Sequence, residues 1–160
     1  MPDSLVERFR RTRTFNQGFA TTEYVAAALL DLAWHTLPKD APAQDVDAFE
    51  SATLKRYHFE EVAVPPRYRT SYFAHIWDTG YQANYGSYMW AEVLDDDAYA
   101  WFGEHGGLTR ANGQRFRDLI LARGSNAHDL AASFREFRGR DPSVDALLDN
   151  RGLREMAPPR

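Results

Sequence analysis

The 160-residue chain contains no cysteine, which excludes disulfides and thiolate metal sites and leaves the redox compartment open. It has no basic excess either: 19 lysines and arginines stand against 23 aspartates and glutamates, a formal net charge of −4. Nucleic-acid binding calls for a basic footprint, and here the basic residues are scattered among acidic neighbours, so no nucleic-acid partner is expected. Long apolar runs are missing as well. The run Tyr24–Leu30 is far too short to span a bilayer, and the charged start MPDSLVERFRRTRTF lacks the apolar stretch of a signal peptide. A cytoplasmic protein without a membrane partner is the expectation. No segment shows the strict alternation or the β-branched enrichment that strands need. The fold class predicted is all-α, and the length predicts one helical domain over residues 1–160.

What is present is helical punctuation. Residues 2–13 predict a short charged helix with Leu5, Val6 and Phe9 on its apolar side. Phe15 to Ala20 reads as a turn, after which Thr21 or Thr22 caps a helix running to about Leu37 and stopped by Pro38. Asp45 caps a helix from Val46 to about His58. The stretch EEVAVPPRYR is extended, because a residue before proline is pushed away from αR. A long helix is predicted from near Ala83 to Glu104, closed by His105-Gly106-Gly107. Thr109 caps the next, to Arg123 and Gly124; Ser125 or Asn126 starts another, to Phe137 and Gly139. Pro142 opens a last short one, and MAPPR reads as a disordered tail.

Aromatic residues make up 14% of the chain, and they concentrate between His75 and Trp90, HIWDTGYQANYGSYMW. Tyr81, Tyr85 and Tyr88 have the spacing i, i+4, i+7, which lines one face if the segment is helical. Such a stripe ordinarily packs a core, yet Phe or Leu would do that without a hydroxyl to satisfy. Beside His75 and Gly80, the three phenols can instead serve as donors to a substrate oxyanion. Arg67 and Arg69 flank Tyr68 and project to the same side if that segment is strand-like, so that they can bind a carboxylate; a structural salt bridge is the plainer reading. Asp95, Asp96 and Asp97 are consecutive and point in different directions, so a solvated face is expected rather than a metal site. His35 and His105 read as partly exposed residues at helix ends. A helical zinc hydrolase needs two histidines four residues apart with a glutamate between them. None of the five histidines, His35, His58, His75, His105 and His128, has a partner at that spacing. No metal ligand set is predicted in this chain.

Three segments, FNQGFATTEYVAAALLDLAWHTL, PPRYRTSYFAHIWDTGYQANYGSYMWAEVL and DAYAWFGEHGGLTRANGQRFRDLILARG, resemble the C-terminal part of bacterial peptidyl-dipeptidases. These belong to the thimet oligopeptidase and oligopeptidase A family of zinc metallopeptidases. The resemblance extends from about Phe15 to Leu153. It implies a helical lobe of a zincin-type catalytic region, lying after the zinc motif, and therefore a C-terminal fragment whose zinc ligands and general base lie upstream. It implies short peptides as substrates, dipeptide release from C-termini, and zinc in the complete enzyme but none bound by this chain alone. By resemblance the tetrahedral intermediate receives hydrogen bonds from Tyr88 and His75. The same resemblance implies that Tyr81, Tyr85 and the Gly80 loop hold substrate, and Arg67 or Arg69 is a candidate for its free carboxylate.

The sequence departs from the family pattern in two places. Asp78 and Thr79 precede a single Gly80 where two or three glycines are common, and Gly86 replaces a second tyrosine. Fewer glycines are expected to stiffen the loop, and Gly86 to weaken the helix locally by about 1 kcal/mol relative to alanine. The partners that follow are the missing N-terminal part of the catalytic domain or, through apolar surface exposed by its absence, a second copy. The alternative from another class is a non-catalytic helical peptide-binding or assembly module that complements a partner carrying the zinc motif.

Overall fold

A computed structural model of the chain describes residues 1–60, 63–124 and 128–154. Among them there are eight α-helices and no strand: α1 (Asp3–Thr12), α2 (Gln17–His35), α3 (Val46–Arg56), α4 (Ala74–Trp77), α5 (Ser87–Glu104), α6 (Arg110–Phe116), α7 (Leu130–Arg138) and α8 (Asp145–Arg151). The chain is all-α. It divides into two compact units, Met1–Tyr88 and Met89–Arg160.

In the first unit α2 is the central element. Its buried residues are Ala26, Ala27, Leu30 and Asp31: two alanines that admit close packing, one leucine that fills the core, and one carboxylate that must find donors. Helix α2 starts at Gln17, four residues before the threonines expected to cap it. Asn16 turns the chain there with φ 58°, a left-handed value that asparagine tolerates. Asp45 caps α3 as the sequence indicates, accepting from Ala48 N at 2.9 Å. Around α2 gathers a core of Ala27, Phe73, Ile76 and Tyr85, with Tyr24, Trp34 and Tyr68 packed against it.

The second unit packs Ala98, Trp101, Phe134 and Phe137 together, with Phe102 and Phe116 alongside. Gly106 and Gly107 close α5 with φ near 86°, and Gly107 N returns to Phe102 O at 2.7 Å. Thr109 caps α6 by accepting from Asn112 N. Helix α6 then passes into a π-turn over Arg117–Leu121, so the run to Arg123 is not one regular α-helix. The expected start of α7 at Ser125 or Asn126 and the tail MAPPR lie outside the described residues; within them Asp129 is the cap. Helix α8 begins at Asp145 rather than at Pro142.

Asp97 corrects the solvated-face expectation. It is fully buried and accepts from Arg138 Nε at 2.8 Å, both terminal nitrogens of Arg140 and Ser143 N. Burial alone would raise its pKa; hydrogen bonds from Arg140, Arg138 and Ser143 bring it below the usual carboxylate range.

Candidate functional site

The candidate residues all lie in the first unit. Upstream of His75 the chain is held against α2 and α3 by polar contacts. Arg67 N donates to Glu23 O at 2.9 Å. Thr70 donates through both its N and its Oγ1 to Glu50 Oε2, each at 3.0 Å, while Thr70 Oγ1 accepts from Trp34 Nε1 and Thr70 O from Trp77 Nε1. Glu50 is 2% exposed, and Arg69 Nε pairs with its other oxygen. Of the two arginines for which a structural salt bridge is the plainer reading, Arg69 makes one here. The guanidiniums of Arg67 and Arg69 therefore have different partners. Arg67 is exposed, and a hydrogen bond with Tyr68, together with the neighbouring Tyr85, raises its pKa further.

Four residues, Ala74–Trp77, form α4 and carry His75, half-buried, on a short helix. Its ring lies among aromatics: 5.1 Å from Tyr68, 5.5 Å from Tyr85 and 6.3 Å from Tyr81 between centroids. After α4 the chain turns through Gly80, whose φ of 86° suits glycine and strains other residues. The turn closes on His75 itself, for Thr79 Oγ1 and Tyr81 N both donate to His75 O, at 3.0 and 3.2 Å.

The tyrosine stripe arises differently from the helical face the spacing predicts. Helix α5 begins at Ser87, not near Ala83, because Ala83 itself has φ 56° and breaks any helix through the segment. Tyr81 and Tyr85 sit in the turn before α5, and Gly86 does too, so the helix penalty expected of it does not arise. The three rings nonetheless meet. Tyr81 and Tyr88 stack at 5.0 Å with planes 22° apart, and Tyr85 lies 5.5 Å from Tyr88. Their exposures divide them: Tyr85 is 3% exposed and Tyr88 44%. Burial pushes the Tyr85 phenol up to about 12. The Tyr88 pKa is raised chiefly by a hydrogen bond with Tyr81, so those two hydroxyls stand together at the surface.

Two residues that position this site escaped the sequence reading. Asp31 is fully buried and receives Ala83 N on Oδ1 and Tyr85 N on Oδ2, each at 2.8 Å. His35 Nδ1 lies 2.8 Å from Asp31 Oδ1, and 2.9 Å from the Asp31 carbonyl oxygen. Tyr24 donates its hydroxyl to Tyr85 O and stacks on the Tyr85 ring at 5.0 Å. The signal for Asp31 was a lone carboxylate inside the apolar run AALLDLAWH, where a charge survives only with partners.

Among the described residues no group of three or more histidines, aspartates or glutamates is placed to hold a metal ion, so the residues present do not fit a zinc site. No helix among them is long and apolar enough to cross a membrane. Residues 1–153 match the family described as Peptidase family M3. The chain is 52% identical over 153 residues to a dipeptidyl carboxypeptidase of Salmonella typhimurium, covering 96% of this chain and 22% of that protein. To the Escherichia coli dipeptidyl carboxypeptidase it is 48% identical over the same share of each chain. To the Escherichia coli oligopeptidase A it is 32% identical over 160 residues, covering 96% of this chain and again 22% of the relative. The chain thus spans about a fifth of the length of the curated relatives it matches.

Proposed function

This chain belongs to peptidase family M3, and we propose that it forms the C-terminal substrate-binding part of a zinc peptidase that releases dipeptides from the C-termini of short peptides. The dipeptidyl carboxypeptidase relatives support the reaction type. Zinc, held by the upstream part of the complete enzyme, would supply Lewis-acid chemistry; the residues of this chain bind and orient the peptide.

The observation that supports this most is the surface pair Tyr81–Tyr88, stacked and hydrogen-bonded beside His75. A neutral phenol held at the surface beside an imidazole suits an oxyanion that appears only as the tetrahedral intermediate forms. Tyr88 and His75 take that role. Tyr81 holds the substrate backbone, Tyr85 braces the pair from the core, and the Gly80 turn sets their approach. Arg67 rather than Arg69 receives the free substrate carboxylate, since Arg69 is engaged by Glu50. The rest of the catalytic domain is the natural partner, a second copy the substitute where that part is missing, and the cytoplasm the setting.

The test joins this chain in frame to the zinc-bearing part of a dipeptidyl carboxypeptidase, in place of that enzyme's own matching segment, and follows dipeptide release. Turnover that collapses with Tyr88→Phe supports the reading. A folded, zinc-loaded, peptide-binding protein without turnover overturns it in favour of the non-catalytic binding module.

A further inference from the structure

We infer that Asp31 is the positioning residue of the tyrosine turn: with Tyr24, it grips the Tyr85 peptide from both sides and thereby fixes the Tyr81–Tyr88 pair. The inference rests on reading that pair as substrate-facing donors, and it adds the device that holds them.

The need for such a device follows from the backbone. Ala83, at φ 56°, interrupts the helical run, so the amides of Ala83 and Tyr85 lack the acceptor four residues back that a helix would give them. Of the two, the amide of the buried Tyr85 would cost the full desolvation of an N–H group if left unpaired. Both point at Asp31, one to each carboxylate oxygen, at 2.8 Å. The Tyr85 carbonyl is met by the Tyr24 hydroxyl. Tyr24 and Asp31 are seven residues apart on α2, two helical turns, and so share one face. A single rigid helix therefore binds the N–H and the C=O of the same residue. Tyr85 in turn packs against Tyr88 at 5.5 Å, and Tyr88 against Tyr81. A carboxylate fully removed from water tolerates this position only because it is bonded. His35 adds a further contact through Nδ1 at 2.8 Å.

Asparagine has the size of aspartate but one acceptor oxygen, so it can satisfy one of the two amides and must oppose the other with its NH₂. The experiment uses the full 160-residue chain, followed by NMR. In Asp31→Asn, hydrogen-exchange protection at Ala83 and Tyr85 is expected to fall about 10- to 100-fold, the loss that follows from one charge-assisted bond. Cross-peaks between the Tyr81 and Tyr88 rings should weaken, while amides of α3 and α7 keep their protection. An even loss of protection over residues 1–88 with the ring cross-peaks intact overturns the inference, since it marks Asp31 as a general stabiliser. Should Asp31→Asn fail to fold, two measurements still decide. The unmodified chain should show couplings through the hydrogen bonds from the Ala83 and Tyr85 amides to the Asp31 carboxylate carbon. Tyr24→Phe, which keeps the ring, should loosen the same turn to a smaller degree. Absent couplings, or an unchanged turn in Tyr24→Phe, sink the device. None of these readouts needs turnover, so a failure here leaves the peptidase reading standing, and Tyr88→Phe tests that reading separately.

Discussion

Tyr88→Phe removes one hydroxyl and keeps the ring that stacks on Tyr81. If that hydroxyl bonds the oxyanion only as the intermediate forms, its loss lowers kcat and kcat/KM together and leaves KM nearly unchanged. The expected fall in kcat is about 10²- to 10³-fold, typical of one oxyanion donor, in steady-state assays of the joined enzyme. Tyr81→Phe, acting on bound substrate as well, should instead raise KM with a smaller change in kcat. Tyr85 answers to a different measurement. Burial pushes its phenol up to about 12, whereas a tyrosine in the unfolded chain ionises near 10. The folded state thus holds the proton more tightly, and the stability this confers is complete below pH ~10 and is lost as pH rises toward and through about 12. An ultraviolet titration should show a phenol ionising near pH 12 that is absent in Tyr85→Phe. Tyr88 was legible in the sequence as a hydroxyl kept where a hydrocarbon would have packed. Asp31 was not singled out, because its partners are backbone amides 52 and 54 residues away, which no local pattern displays.

Helix ends with local chemistry were legible: Asp45 and Thr109 are caps, and Gly106 with Gly107 terminates α5. The start of α5 was not, since nothing in QANYGSY forbids a helix. A non-glycine residue at positive φ is set there by long-range contacts, with the Asp31 carboxylate holding the amides on either side of Asn84. The stripe of tyrosines was therefore recognised for a periodicity it does not use, and its rings converge through a turn. This backbone makes its own prediction. A left-handed conformation costs an alanine roughly 1–2 kcal/mol through its Cβ, and glycine avoids that cost while losing more freedom on folding. Ala83→Gly should leave the turn in place and stabilise the chain by up to about 1 kcal/mol in denaturant unfolding. A destabilisation of that size would mean that the left-handed residue carries no strain.

At the scale of the whole molecule, the proposed roles of this chain are to donate hydrogen bonds and to bind the peptide's carboxylate, and the groups that start hydrolysis are proposed to lie elsewhere. It has no cysteine, no two histidines four residues apart, and among its described residues no cluster suited to a metal. It also spans 22% of the length of its dipeptidyl carboxypeptidase relatives. Phe9 and Phe15 are 77% and 81% exposed, in α1 and just beyond it. The 160-residue chain by itself is accordingly expected to retain no stoichiometric zinc after dialysis and to release no dipeptide from a quenched peptide substrate. Metal analysis and the release assay should be run on one preparation, because a contaminating peptidase would give turnover without a matching metal content. Joined to a zinc-bearing segment, the same residues should gain both properties together, and the gained turnover should be abolished by chelator and restored by zinc. Stoichiometric zinc with robust turnover in the isolated chain, surviving extensive purification, would show that this segment is sufficient by itself and that its ligands were misread.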